Sequence, residues 1–181
     1  MSNEINASSL ESLEYIPYID ENGQLPEQLT GKIGVYAIFN QSKLLQFVGY
    51  SRDVYLSLKQ HLIRQPEQCY WIKTQTIERP SRSALESIES AWIEENGSVP
   101  LGNGKNKEKW TQPINVKALM TSEEQLSYQN PNNDELAQMK IIKNVARRVE
   151  AEILKFLADR GLQIELRFNP KLKEEGLLDL K

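Results

Sequence analysis

The chain has one cysteine and one histidine among its 181 residues, and its apolar runs are all short. A single cysteine excludes an internal disulfide and fits a reducing compartment. One histidine and one cysteine exclude the usual zinc sites, which draw several ligands from these residues. A helix that crosses a bilayer needs about 20 apolar residues, so we expect no membrane span. Residues 1–5 carry neither a basic cluster nor an apolar core, so we expect no secretory signal and predict a cytoplasmic protein.

Signatures of nucleotide binding are also missing. The sequence has no glycine-rich loop followed by lysine and no dinucleotide-binding fingerprint. Its 39% hydrophobic and 26% charged residues are the proportions of an ordinary globular protein. The formal net charge of -3 argues against a general nucleic-acid-binding protein, although residues 31–110 hold 11 basic and 8 acidic residues. The middle of the chain is therefore mildly basic and its flanks are acidic.

Alternating and helically spaced apolar residues predict a compact α+β region in the first half of the chain. Turn residues separate two short apolar runs, which indicates a β-hairpin. Ser51 is the predicted N-cap of the helix that follows, and Pro66 lies beyond the end of that helix. The predicted order is strand, strand, helix, strand, helix, at Ile33–Phe39, Leu44–Tyr50, Arg52–Arg64, Cys69–Ile77 and Arg82–Glu95.

The second half of the chain predicts one dominant helix. Apolar residues recur three or four apart over Asp134–Arg160 and form a continuous stripe. Alternation over Leu162–Phe168 predicts a strand after it. We therefore expect an α+β fold with a small mixed or antiparallel sheet flanked by helices, and a C-terminal helix–strand extension. The predicted organisation is an N-terminal extension, a core domain, a linker and the C-terminal extension, at residues 1–30, 31–106, 107–133 and 134–181.

Two tripeptides in the predicted hairpin carry a family resemblance. Gly34-Val35-Tyr36 is followed ten residues later by Phe47-Val48-Gly49. The pair resembles the paired signature of the GIY-YIG nuclease family, and the resemblance extends over about residues 31–106. It implies the fold of that family and a metal-dependent hydrolysis of phosphodiester bonds.

The resemblance implies roles for four residues of the site. Tyr36 would help to activate water, His61 would carry a proton or orient the site, and Asn103 would orient it as well. Glu89 would hold one divalent ion, Mg²⁺ or Mn²⁺. Each residue also has an ordinary structural interpretation, as a sheet aromatic, a half-buried histidine, an exposed helix glutamate or a turn asparagine.

Two positions depart from the family pattern. Phe47 stands where the family has a second tyrosine and lacks its hydroxyl group. Ser57 stands where the family has a helix arginine and lacks its charge. Loss of a cation aimed at a phosphoryl group costs roughly 10²–10³-fold in rate. We therefore expect catalysis to be weak or lost.

A basic stretch beside the predicted site is the candidate contact with nucleic acid. Its members carry positive charge or an aromatic ring suited to phosphates and bases; they are Arg52, Lys105, Lys107, Lys109 and Trp110. The alternative is a solvated loop closed by a core tryptophan.

Three functions remain open from the sequence, and whether the protein is an enzyme stays undecided among them. The favoured one is a nuclease-like pseudoenzyme that binds DNA or structured nucleic acid. The second is an active Mg²⁺-dependent DNA endonuclease. The third is a protein-interaction module, with the apolar C-terminal helix contacting a partner or a second copy of the chain.

Overall fold

The computed structural model describes residues 6–181, so the expectation about a secretory signal, which rests on residues 1–5, falls outside them. The chain divides into two compact units, Met1–Thr111 and Gln112–Lys181. The four-part division predicted above is finer and stays a prediction. No helix in the described part of the chain combines the length and apolar character needed to cross a membrane.

A four-stranded antiparallel sheet forms the centre of the first unit. The strands are β1 (Ile16–Pro17), β2 (Ile33–Phe39), β3 (Leu45–Ser51) and β4 (Trp71–Ile77). They lie in the spatial order β1-β4-β2-β3, and every pair of neighbours runs antiparallel. The pairing of β2 with β3 places Tyr36 opposite Gly49. The predicted α+β class with a small antiparallel sheet and flanking helices is confirmed.

Two main helices pack beside this sheet, and their ends follow from local sequence. The helix α1 (Val54–Arg64) begins at Asp53, whose carboxylate accepts a hydrogen bond from the Leu56 backbone amide. The predicted N-cap, Ser51, is therefore wrong by two residues, because the β3 ladder continues through Ser51. The helix α2 (Arg82–Asn96) begins after Ser81 and ends at Gly97, whose φ of 82° is accessible to glycine without strain.

Successive β2 side chains alternate between the two faces of the sheet. Val35, Ala37 and Phe39 pack with Trp92 and other apolar side chains of α2 in one buried cluster. Tyr36 and Ile38 point to the other face, where α1 lies. This alternation places Tyr36 in the interior between sheet and α1.

The segment that precedes the sheet is bound to the first of these faces. Leu10 is 6% exposed and belongs to the α2-side cluster. The buried Lys73 ammonium donates to the Leu10 carbonyl, and Trp92 Nε1 donates to the Ser8 carbonyl. Glu95 accepts from the Leu10 backbone amide. The N-terminal residues therefore close one side of the core.

The second unit is built around one long helix. It contains α4 (Ser122–Tyr128), α5 (Glu135–Asp159) and α6 (Pro170–Glu174), preceded in the first unit by the short α3 (Lys107–Thr111). The strands β5 (Ile114–Asn115) and β6 (Leu177–Leu178) pair antiparallel. The predicted long helix is confirmed within one residue at each end. Its apolar stripe is buried from Ile142 to Ile153, whereas Leu136 and Met139 at the start of the helix are exposed.

The predicted strand over Leu162–Phe168 is wrong. Leu166 and Phe168 are buried in alternation with exposed neighbours, as expected for an extended segment. Among the described residues, the only β-bridge of this segment is the isolated one from Phe168 to Leu180, beside a hydrogen bond from the Lys181 backbone amide to the Arg167 carbonyl. Alternation fixes which side chains are buried, but a strand also needs a continuous hydrogen-bonded neighbour.

Candidate functional site

Tyr36 and His61 form a buried polar pair between the sheet and α1. The Tyr36 hydroxyl lies 2.7 Å from His61 Nε2, and the two residues are 3% and 4% exposed. Gly49, opposite Tyr36 on β3, leaves room for the pair. A Cβ atom at Gly49 would lie 2.8 Å from the Tyr36 hydroxyl oxygen. The sheet register therefore places the Tyr36 ring against Gly49, where a larger side chain would not fit.

Aromatic rings surround this pair. Phe47 and Trp110 stack in parallel with centroids 5.3 Å apart, and the His61 ring lies 4.6 Å from the Phe47 ring. Trp110 is 3% exposed. Phe47 covers the face of the Trp110 ring, so Trp110 belongs to the core. The sequence left this interpretation open as the alternative to a contact with nucleic acid. Phe47 fills apolar space here and brings no hydrogen bond to the pair.

Burial controls the protonation of both groups. Burial, and to a lesser degree the nearby Arg64 charge, lowers the pKa of His61 to about 3. Burial also raises the pKa of Tyr36 strongly, while the nearby Ser57 hydroxyl and the Arg64 charge partly offset that rise. At neutral pH the pair is therefore an uncharged imidazole beside an uncharged phenol.

One ring nitrogen of this histidine makes no hydrogen bond within the described residues. His61 Nδ1 is buried, and although the Trp110 carbonyl is near enough to raise the pKa of His61 slightly, it does not meet hydrogen-bond geometry. The Ser57 hydroxyl on the same helix face donates to the Ser51 hydroxyl at 2.7 Å. Ser57 lies four residues before His61, which places both on one helix face, but this spacing does not indicate the Ser51 contact.

Glu89 is half-buried on α2, and its charge acts on the Tyr36 phenol. Burial raises the pKa of the Glu89 carboxyl, with a further rise from Glu86 and an opposing effect from Lys107. Glu86 is engaged elsewhere, since it accepts from Arg82 Nε at 2.8 Å and from the Tyr50 hydroxyl at 3.3 Å.

Asn103 is committed to the edge of the sheet. Its side-chain oxygen accepts from the Val48 backbone amide at 2.8 Å, and its side-chain nitrogen donates to the Val48 carbonyl at 2.7 Å. Val48 lies on β3, which is an edge strand. The Asn103 side-chain amide thus forms the two hydrogen bonds with Val48 that a neighbouring strand would form.

The structure brings some of the predicted site residues together and leaves others apart. Tyr36 and His61 are in contact, and the charge of Glu89 acts on Tyr36. The four basic candidates are exposed on the surface: Arg52, Lys105, Lys107 and Lys109.

A surface groove of about 1010 Å³ lies elsewhere, between the end of β4 and the start of α2. None of the predicted site residues lines this groove.

A divalent ion has no evident set of protein ligands. Among residues 6–181 no group of three or more His, Cys, Asp or Glu side chains is placed to share a metal ion. Glu89 is a single carboxylate, with Glu86 bound to Arg82 and Tyr50. The side chains present therefore do not fit a protein-held ion. The expectation of Mg²⁺ or Mn²⁺ stays a prediction, and we derive no step through it.

Cys69, the single cysteine, lies directly behind the histidine. Its side chain is 0% exposed, and its thiol donates to the His61 carbonyl over 3.6 Å. The residue is not in a disulfide. Burial of this kind is common for a cysteine that acts as a small apolar core residue.

Comparison with known proteins identifies one relative of part of the chain. A stretch of 99 residues is 38% identical to the chloroplast protein bifunctional monothiol glutaredoxin-S16 of Arabidopsis thaliana. The match covers 52% of this chain and 32% of the relative, so the chain spans about a third of the relative's own length. No protein family profile matches the chain.

This relative contradicts the GIY-YIG interpretation of the sequence. Its name describes a redox protein and not a nuclease. The family resemblance, the nuclease-like function and the alternatives built on a retired nuclease are therefore wrong by this comparison. Two short tripeptides were a weak basis for the assignment, because both also suit an ordinary hairpin with glycine at its ends. The relative's plastid location gives no support to the predicted cytoplasmic location, which stays a prediction.

Proposed function

We propose that this chain is a module that works beside monothiol glutaredoxin chemistry and does not itself carry the reactive thiol. The relative's name describes a bifunctional protein, and this chain corresponds to about a third of it. A module that supplies one function of such a protein need not contain the residues that carry out the other function.

The burial of Cys69 is the observation that carries this proposal. Thiol–disulfide exchange needs a thiolate that can reach a disulfide sulfur along an open line of attack. Cys69 is 0% exposed, and its thiol is directed at the His61 carbonyl. The single cysteine therefore lacks the access that thiol–disulfide exchange requires.

The architecture of the first unit supports the same conclusion. Thioredoxin-like redox motifs are recognised by a reactive cysteine next to a βαβ unit, in which two strands run parallel. In the described residues, every pair of neighbouring strands in the four-stranded sheet is antiparallel.

Thiol reactivity in the native protein tests the proposal. We expect Ellman's reagent to leave Cys69 unmodified in the native protein and to react fully after unfolding in guanidinium chloride. A control variant, Cys69→Ala with Ser42→Cys, moves the only thiol to an exposed turn position and should react within minutes.

The same preparations can be assayed for reduction of a glutathionylated peptide in the presence of glutathione. We expect no turnover above background for the native chain and no change in Cys69→Ala. Turnover that disappears in Cys69→Ala, or rapid modification of the native thiol, would overturn the proposal.

A further inference from the structure

Three aromatic rings from separate segments meet at one end of the sheet. Tyr15 precedes β1, Phe39 ends β2 and Trp71 begins β4. The Tyr15 and Phe39 centroids are 5.1 Å apart with their planes at 78°, and those of Tyr15 and Trp71 are 6.2 Å apart at 70°. We call these three residues the aromatic cage. Tyr15 is 36% exposed, so the cage is open to solvent on one side.

Two lysine ammonium groups already lie against the rings of this cage. Lys73 Nζ is 4.1 Å from the Tyr15 centroid and 5.6 Å from that of Phe39. Lys43 Nζ is 4.8 Å from the Tyr15 centroid and 4.9 Å from that of Trp71. Distances below about 6 Å to a ring centroid are those of cation–π attraction. The cage therefore binds positive charge within its own chain.

The two lysines differ in how firmly they are held. Lys73 is 5% exposed and donates a hydrogen bond to the Leu10 carbonyl at 2.9 Å, so it is a fixed part of the core. Lys43 lies in the exposed turn between β2 and β3, at a φ of 61°. Within the described residues, its ammonium group is held only by contacts with the aromatic rings, and its side-chain stem is flexible. Lys43 can leave the cage without disturbing the sheet.

Charges and burial act on the Lys73 ammonium in opposite directions. Burial is the largest effect and lowers the pKa of Lys73, the charges of Glu95 and Glu11 raise it, and the Lys43 ammonium lowers it. Displacement of Lys43 would therefore remove one like charge from beside Lys73, while the Lys73 ammonium would remain next to the Tyr15 ring.

We propose that the Tyr15 and Trp71 rings of the aromatic cage bind a methylated ammonium group, with Lys43 as a built-in occupant that the ligand displaces. Rings set nearly perpendicular to one another are the usual means by which proteins bind methylated amines. A methylated ammonium is larger and less hydrated than a lysine ammonium, so it gains more from the rings and loses less water. This proposal does not depend on the one made for the thiol.

Choline provides the first probe, and 3,3-dimethyl-1-butanol, its uncharged counterpart of the same shape, provides the control. The chain has three tryptophans, so the indole N–H signals can be assigned by one Trp71→Phe variant and followed by NMR. We expect choline to shift the Trp71 signal and leave those of Trp92 and Trp110 unchanged. The alcohol should have little effect.

A variant that empties the cage sharpens the test. Lys43→Asn removes the occupant, and asparagine tolerates a positive φ better than most residues. We expect this variant to bind choline roughly tenfold more tightly than the wild type. Lys32→Ala, which removes an exposed lysine elsewhere, should bind as the wild type does. Tyr15→Leu in the Lys43→Asn background should abolish binding while the Trp92 and Trp110 signals report an intact core.

The source of the ligand can be separated with a second probe, a peptide that contains trimethyllysine. Tighter binding of the peptide than of choline would indicate a modified protein partner, and the reverse would indicate a free small molecule. Either result supports the cage. No shift of the Trp71 signal in Lys43→Asn with either ammonium would overturn the proposal, and so would equal shifts from choline and the alcohol.

Discussion

The Tyr36 hydroxyl lies 2.7 Å from His61 Nε2 in the interior between β2 and α1. Because both groups are almost fully buried, each depends on the other for its hydrogen bond. The pair joins the sheet to the helix through the chain's only histidine. Its chemistry is that of two neutral groups, and this leads to the first two predictions.

Acid should destabilise the protein through His61. Its pKa is about 3 in the folded state and close to 6.5 when unfolded, so between these values the unfolded chain binds a proton that the folded chain does not. The free energy of unfolding therefore falls as pH decreases through 6.5, by about 2 kcal/mol between pH 7 and pH 5. Urea unfolding at the two pH values measures this loss.

The control for the pH experiment is His61→Gln, which keeps a hydrogen-bonding side chain without a titrating group. We expect most of the pH 7 to pH 5 loss to disappear in this variant. The single histidine also gives one imidazole NMR signal, which should not titrate above pH 5. A titration midpoint near 6.5 would contradict the buried neutral state.

The losses of unfolding free energy from removing the Tyr36 hydroxyl and from removing the His61 imidazole should not be additive. Tyr36→Phe leaves His61 Nε2 buried without a hydrogen-bond partner, which costs about 1–3 kcal/mol of unfolding free energy. Tyr36→Phe combined with His61→Phe removes both polar atoms, so the second substitution should not add a further polar penalty. Tyr55→Phe, at a half-buried tyrosine of α1, should change stability by less than about 0.5 kcal/mol. Additive losses from the two substitutions would show that the pair is not coupled.

Asn103→Ala should destabilise the first unit by about 1–3 kcal/mol, because it removes two hydrogen bonds from the β3 edge. Hydrogen exchange at the Val48 amide should become faster in the same variant, since Asn103 is the acceptor of that amide. Gln28→Ala, at an exposed amide residue of the same unit, is the control. Unchanged stability and unchanged exchange at Val48 would mean that Asn103 is not a structural residue.

Arg148 should be irreplaceable by lysine in the second unit. Its guanidinium donates to Glu124 through two nitrogens, to Glu152 and to the Leu119 carbonyl, and so connects α5 with α4 and the turn before it. A lysine ammonium cannot reproduce this planar set of donors. We expect Arg148→Lys to lower the unfolding free energy by about 1–2 kcal/mol.

The adjacent Arg147→Lys is the matched control for that substitution, since Arg147 is exposed on the same helix. It should have an effect below about 0.5 kcal/mol. Equal stability of the two variants in denaturant unfolding would refute the role given to Arg148.

Local pattern was enough to find the regular elements of this chain. Alternation and helical spacing located β2, β3, α1, α2 and α5 to within a few residues, because these patterns record directly which face of an element is buried. The same reasoning failed at Leu162–Phe168, where the alternation is present but residues 6–181 provide no continuous neighbouring strand. Ser51 was misread as a cap because the sequence does not show how far a ladder extends.

The sequence by itself determined the α+β class, the apolar faces of the helices and the limit to one thiol and one imidazole. Only tertiary structure decided where those groups lie: that Cys69 is sealed behind His61, that Asn103 is bound to Val48, and that Tyr15, Phe39 and Trp71 meet around two lysines. The physical reason is distance along the chain. Periodicity reports neighbours within one element, whereas these contacts join residues from separate segments, and packing alone brings them together.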